Sequence, residues 1–318
     1  KEGSCLIPCG RLVKILRELQ GADLCVELDA SGQVCISSGS ANFKVPSGSV
    51  DEFPAVQFST EAPSIQVNRE DLIRNFQRVS VASARDATRF NMHSVLLDCH
   101  ENEIRIVGTD GKRMAMSVMP SEAGTNSGVP QGQFIIPLKA VDLLTRILTS
   151  ETEENVVFRL DQNEATYISE FVSLSCRLVE GKFPEYERAV PQELESVYRI
   201  NSDEFLVALK QCSLMTTKET NTVRFSFNNE EATLSSSASN VGESKVKFPV
   251  EKISGAEGEF VVVFNPVYLI DLLRVVDSSQ VECSFKDSKT AGLFSIPDYP
   301  LAYRHIVMPL VITEMQNA

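Results

Sequence analysis

The residues able to carry catalytic or metal chemistry are few and scattered. Three histidines (His93, His100, His305) and eight cysteines (Cys5, Cys9, Cys25, Cys35, Cys99, Cys176, Cys212, Cys283) are the whole supply of imidazole and thiol. There is no C-x-x-C pair, and the closest thiols are Cys5 and Cys9, so neither a zinc site nor a disulfide framework is indicated. The cysteines read as buried, reduced thiols. No histidine stands in a nucleophile–base motif, and His305, in the apolar run RHIVMPLVI, reads as structural or surface. Gly108-Thr-Asp-Gly-Lys-Arg113 has the glycines and lysine of a phosphate loop. Only Thr109 and Asp110 separate the glycines, however, where a P-loop needs four residues. Residues 114–118 then read as a strand rather than a helix, so the segment is read as an Asp-Gly turn between strands. The sequence offers no catalytic residue, metal or cofactor.

The elements that position these residues form an internal repeat. Pro8, Pro137 and Pro266 stand at equal intervals, each before an amphipathic run: LVKILREL, VDLLTRIL and LIDLLRVV. Proline suits the first turn of a helix, where its missing N–H would be unpaired anyway. Apolar residues recur at i, i+3 and i+4, as in Leu143, Leu144, Ile147 and Leu148. A hairpin follows each helix: 24–28 with 34–37, 156–160 with 165–169, and 281–285 with 291–296. A second unit is interleaved. Strands at 65–67 and 198–200 lead into helices with Asn68, and Asn201 or Ser202, as N-caps. Hairpins follow at 94–98 with 103–107 and at 223–227 with 232–236. Two units make one domain, so an α+β chain with two complete domains is expected, preceded by one unpaired unit at 4–58. The repeat predicts a partner unit of about 60–70 residues ahead of it.

The charge is unevenly spread. Lys plus Arg total 30 and Asp plus Glu total 43, for a net charge of −13. A uniformly acidic surface repels nucleic acid and excludes a simple DNA-coating protein, but it leaves room for a segregated basic face. The five predicted helices (10–19, 69–79, 138–148, 202–216 and 266–276) hold more cations than acids, so the acidity lies in strands and loops. A helix-lined face toward phosphates is the functional reading of that split. Residues 1–7 lack the apolar core of a signal peptide, and no apolar run approaches the ~18 residues of a membrane span, so a cytoplasmic protein is expected.

Three segments carry a family resemblance: VLLDCHENEIRIVGTDGKRMAMSVMP (95–120), LVEGKFPEYERAVP (178–191) and YRHIVMPLVI (303–312). In order and spacing the chain resembles the bacterial DNA polymerase sliding clamp, the beta subunit and processivity factor of the replicative polymerase, from about residue 7 to 312. The resemblance implies repeated helix-plus-antiparallel-sheet units in a head-to-tail ring dimer, with helices lining a central hole and sheets outside. Residues 1–60 then correspond to the second half of domain 1, whose first half is missing, 61–193 to domain 2 and 194–318 to domain 3. It implies no enzymatic activity and no cofactor. The implied partners are duplex DNA held without sequence preference, a second copy of the chain, and short linear peptides of the replicative polymerase, clamp loader, repair polymerases and ligase-type factors.

The same resemblance assigns residues. Arg11, Lys14, Arg17, Arg74, Arg78, Lys139, Lys210 and Arg274 on the helices would face DNA, with Arg89 and Phe90 in a contacting loop. Met92, Thr109, Gly111, Arg113, Met114, Pro184, Arg188, Ala189, Ile306, Met308, Pro309 and Leu310 would line the peptide groove. Its methionines suit an adaptable apolar wall. Phe43, Val45, Leu214 and Met215 would form the dimer interface. Two other readings compete: a peptide-binding adaptor of the same fold that does not encircle DNA, and an α+β enzyme with no site identified.

Overall fold

The computed structural model describes residues 3–21, 23–54, 58, 62–85, 92–120, 122–123, 130–217, 221–239, 241–299 and 302–310. The chain divides into two units, Lys1–Phe58 and Ser59–Ala318.

In the first unit, helix α1 (Cys9–Glu18) precedes an antiparallel meander of β1 (Cys25–Leu28), β2 (Gln33–Ser38) and β3 (Ala41–Pro46). Ile15 of α1 packs with Val34, Ile36 and Val45, and Leu12, Leu19 and Phe43 close over them. Helical spacing puts Leu12, Ile15 and Leu19 on one face of α1 and Arg11, Lys14 and Arg17 outside it. Alternation along β3 turns Phe43 and Val45 toward this core and leaves Lys44 outside. The expectation that Val45 is an interface residue is therefore corrected: it is 2% exposed and belongs to the core. The edge strand β1 is exposed along its whole length.

The second unit contains one pattern twice. Its first half runs β4 (Ser64–Asn68), α2 (Arg69–Ser80), β5 (Ser94–Cys99), β6 (Glu103–Thr109), β7 (Arg113–Pro120), β8 (Glu122–Ala123), β9 (Gly132–Pro137), α3 (Leu138–Ser150), β10 (Asn155–Leu160), β11 (Glu164–Ile168) and β12 (Ser173–Arg177). Its second half runs β13 (Ser196–Asn201), α4 (Ser202–Ser213), β14 (Val223–Phe227), β15 (Glu231–Ala238), β16 (Gly242–Pro249), β17 (Glu251–Ser254), β18 (Phe260–Phe264), α5 (Pro266–Val275), β19 (Gln280–Phe285), β20 (Gly292–Ser295) and β21 (Tyr303–Val307). The Asn68 side chain accepts the N–H groups of Glu70 and Asp71, and that of Asn201 accepts those of Asp203 and Glu204. Asn201, not Ser202, is thus the cap. Pro266 opens α5 at its first turn, whereas Pro8 and Pro137 sit one residue earlier, at the N-cap itself.

Three antiparallel sheets result, ordered β12-β11-β10-β4-β8, β16-β15-β14-β18 and β17-β13-β19-β20-β21-β7-β6-β5-β9. The nine-stranded sheet crosses from one repeat to the other where β21 pairs with β7, Ile306 opposite Met114 and Arg304 opposite Met116. Helix α2 packs on α3, α4 on α5, and α2 touches α5, so the four form a row. One face of the sheet belongs to the large core that takes in the helices, through Val95, Leu97, Ile104, Ile106, Ala115, Met119, Tyr303 and Val307. Gly108 belongs to this packing. A Cβ there would meet the Val79 carbonyl oxygen of α2 at 2.7 Å and Ser83 Oγ at 2.6 Å. The first glycine of the phosphate-loop look-alike is thus a close-approach glycine.

Candidate functional site: an outer apolar groove and an opposite helical face

Because strand side chains alternate, the residues between those core positions face the other side of the sheet. There Leu96, Val107, Met114, Met116, Ile135 and Ile306 form a separate apolar cluster with Phe183 and Tyr186. The segment 178–190 carries these last two. It is tied to the sheet by Val179 N–H to the Ile135 carbonyl at 2.8 Å and by Tyr186 Oη to Asp98 Oδ2 at 2.6 Å. Burial and the Asp98 carboxylate raise the Tyr186 phenol well above its usual range, so it remains a donor. Three distant segments, around Met114, Phe183–Tyr186 and Ile306, thus meet on this face.

The expected groove residues divide by exposure. Met308 and Leu310 are 49% and 39% exposed, large apolar side chains held at fixed backbone positions. Met308 N–H donates to the Lys112 carbonyl and Leu310 N–H to that of Val263. Arg188 and Ala189 are exposed and Pro184 is half-buried, but Arg188 is paired with Glu185 at 2.6 Å. Met114 and Ile306 form the buried floor. Met92 is half-buried and is not part of that cluster.

Thr109, Gly111 and Arg113 build a turn that uses their polar groups, with Gly111 exposed and Thr109 and Arg113 buried. Thr109 Oγ1 donates to the Arg113 carbonyl and accepts Gly111 N–H, while Gly111 takes φ +86°. Asp110 Oδ1 accepts the N–H groups of Lys112 and Arg113. The Arg113 guanidinium is buried. It binds Asp110 Oδ2 at 3.1 Å and, across the repeat boundary, Asp271 Oδ2 of α5 at 2.9 Å, and lies 4.6 Å from the Tyr268 ring centroid. Sequence reasoning missed Asp271 and Tyr268. They lie far from Arg113 in the chain, and only the fold brings them to it.

A second junction lies beneath. His305 is fully buried, with Nδ1 at 3.2 Å from Tyr303 Oη and no partner for Nε2. Burial, helped by the Arg113 charge, lowers its pKa to about 3. Tyr303 Oη donates to the Arg78 carbonyl, and the Arg78 guanidinium lies 5.5 Å over the Tyr303 ring. Arg78, expected to face phosphate, is half-buried against Tyr303, and its Nε has no hydrogen-bond partner among the described residues. Desolvation lowers its pKa.

The remaining helix cations are open. Arg11, Lys14, Arg17, Lys139 and Lys210 are exposed, and Arg74 and Arg274 are exposed while paired with Asp71 at 2.8 Å and Asp271 at 3.9 Å. Arg146, absent from the expected set, is also exposed, two helical turns from Lys139 on the same face of α3. The acids Glu70, Asp71, Asp203 and Glu204 crowd the first turns of α2 and α4, where they suit the positive helix ends. Arg89 and Phe90 lie outside the described residues.

Of the interface expectations in the second unit, Leu214 is 72% exposed just beyond α4, and Met215 is half-buried near Gly242. Between α4 and the edge strand β16 runs a depression of about 350 Å³ lined by Val207, Ala208, Val246 and Phe248. The cysteine expectation is corrected in part. All eight are free, but Cys5, Cys9 and Cys25 are exposed. Among the described residues no cluster could hold a metal ion, and no helix is long and apolar enough to cross a membrane.

Known proteins share this architecture. Residues 66–185 match the DNA polymerase III beta subunit, central domain, and residues 187–310 its C-terminal domain. The beta sliding clamp of Chlamydia muridarum is 30% identical over 315 residues, 98% of this chain and 82% of the relative. The beta sliding clamp of Pseudomonas aeruginosa is 24% identical over 309 residues, 97% and 82% of the two chains. Among solved structures, the DNA polymerase III beta subunit of Thermotoga maritima superposes with a TM-score of 0.87 at 24% identity, covering 98% and 83% of the two chains. That of Pseudomonas aeruginosa gives 0.87 at 23%, covering 98% and 84%. The repeated helix-and-sheet units, the motif segments joined on one sheet face and this likeness along nearly the whole chain make it a member of the beta sliding clamp family, the DNA polymerase III beta subunits.

Proposed function

We propose that two copies of this chain close a ring around duplex DNA, and that the ring works without enzymatic activity. Its outer groove tethers the replicative polymerase, the clamp loader and repair factors through short linear peptides, inside the cell where DNA is replicated. The observation that carries this reading is the opposition of two faces of one sheet. Open cations stand on the helices packed against one face, and the apolar cluster of Met114, Met116 and Ile306 lies on the other, with Met308 and Leu310 exposed just beyond β21. A tether on DNA needs weak phosphate contact on one side and a partner seat on the other. Tight contact would stop sliding, so scattered cations among acids suit retention by topology better than by affinity.

For ring closure we propose that β3 of one copy meets β16 of the other. In the second unit the third strand of one hairpin series, β7, already pairs antiparallel with the third strand of the other, β21. β3 and β16 are the corresponding strands whose outer edges have no strand partner among the described residues. Unpaired edges favour addition of another strand. Phe43, Leu214 and Met215 would flank that seam. Retention on nicked circular DNA, lost when the circle is linearised, is the expected result. Peptide binding without such retention would make the protein an adaptor of the same fold.

A further inference from the structure

A second pocket of about 320 Å³, built from residues outside the expected groove set, borders the apolar cluster of Met114 and Ile306 through the shared Met116 and Tyr186. The β7·β21 ladder connects the two. Ile306 opposite Met114 belongs to the groove floor, and one step on, Arg304 stands opposite Met116. Same-face neighbours on a strand are about 7 Å apart, so along β21 Arg304 stands one such step from Ile306, on the same side of the sheet. Met116, Val118 and Val190 supply apolar lining, and Tyr186 a wall.

The charges in this pocket are unequally used. The two carboxylates, Glu103 and Glu187, are both held by Arg105, at 2.9 Å through Nε and 2.7 Å through Nη1. Arg304 is half-buried between Ser295 and Met116 in the ladder, and its guanidinium makes no ion pair or hydrogen bond with any described residue. The unspent hydrogen-bonding capacity therefore belongs to a guanidinium, whose planar fork fits a carboxylate.

We propose that this pocket takes an acidic residue of the linear peptide, flanking its apolar anchors, with the carboxylate on Arg304. The inference rests on the groove reading above and adds a specificity element to it. Partners carrying an Asp or Glu beside the anchors are favoured over those carrying Lys.

The test is calorimetry with three synthetic peptides sharing Leu and Phe anchors. One is neutral, one has an Asp-Glu pair at its N-terminal end, and one has the pair at its C-terminal end. Each is titrated into the wild-type chain, Arg304→Gln and Arg304→Glu. One acidic peptide should bind the wild type about two- to five-fold tighter than the neutral one, the size of a half-exposed ion pair. That gain should vanish in Arg304→Gln and become a loss in Arg304→Glu, while the neutral peptide binds all three proteins alike. If the neutral peptide binds and neither acidic peptide gains, the groove stands and this proposal is overturned. A gain that survives Arg304→Gln overturns it equally. If the neutral peptide does not bind the wild type, the groove reading fails, and this proposal with it.

Discussion

Arg113 shows how the fold commits the side chain of a motif residue. Its guanidinium bridges Asp110 and Asp271 and stacks on Tyr268, joining the two repeats of the second unit. Arg113→Ala leaves Asp110 without its cation and Asp271 with only the more distant Arg274, and loss of a buried partner costs up to about 3–5 kcal/mol. Urea unfolding should therefore show a lower midpoint. Arg113→Lys should fall between, since an ammonium keeps the charge and loses the fork and the stack. His305 sets a pH dependence. Its folded pKa of about 3 lies below the ordinary 6.5, so its neutral form is the one buried. Its contribution is whole above about pH 6.5 and is lost as pH falls toward 3, because the unfolded chain binds the proton first. The slope from this group is at most about 1.4 kcal/mol per pH unit. Thermal melts between pH 6.5 and 4.5 should show a shallower acid loss in His305→Gln than in wild type. Met308 and Leu310 are exposed, and we propose them as anchors of the peptide groove. Met308→Ala with Leu310→Ala should weaken an apolar-anchored peptide by ~2 kcal/mol or more, read by calorimetry, with little change in thermal stability.

At the scale of elements, β7·β21 pairing decides the architecture. It carries the sheet across the repeat boundary and brings Met114 beside Ile306. The same alternation that buries Ala115 and Met119 against the helices turns Met114 and Met116 outward. Helix α4 ends in Leu214, an apolar side chain left in water beside the edge of β16. Since Leu214 is exposed in the single chain, Leu214→Ala with Met215→Ala should leave a folded monomer with stability within about 1 kcal/mol of wild type. Sedimentation should show the dimer lost. A dimer persisting at low micromolar concentration would move the interface elsewhere.

At the scale of the whole molecule, charge is distributed by surface rather than by domain. The chain carries −13, yet its helices keep exposed cations at Arg11, Lys14, Arg17, Arg74, Lys139, Arg146, Lys210 and Arg274. Each cation facing a phosphate adds at most about 0.9 to the slope of log affinity against log salt. Arg74→Glu, Lys139→Glu and Arg146→Glu together should lower that slope and shorten retention on circular DNA, equally for different base sequences. Strong dependence on base sequence would contradict a passive channel. Filter binding across a salt series provides the measurement.

Much of this was legible in the residues alone, because it depends on local spacing. Helical periodicity after Pro8, Pro137 and Pro266, asparagine caps and alternating hairpins place the five helices and the hairpin strands within two or three residues of their positions, while β8, β9, β12 and β16 to β18 lie outside those signals. A proline cannot continue a strand ladder and an Asn side chain caps the nearest free N–H groups, so these signals act within a turn of the chain. The family motifs were legible for the same reason. Only the tertiary structure decided which polar groups were already committed. Thr109 and Arg113 look available in the sequence, and Arg78 sits at helical spacing from Arg74. Their partners, Asp271 for Arg113 and Tyr303 for Arg78, lie over a hundred residues away. Val45 alternates as any strand residue does, and only the arrival of α1 over it makes that face the core. Arg304 stayed unremarkable until β21 was laid against β7, because a cation's availability depends on which acids the fold has brought to its neighbours.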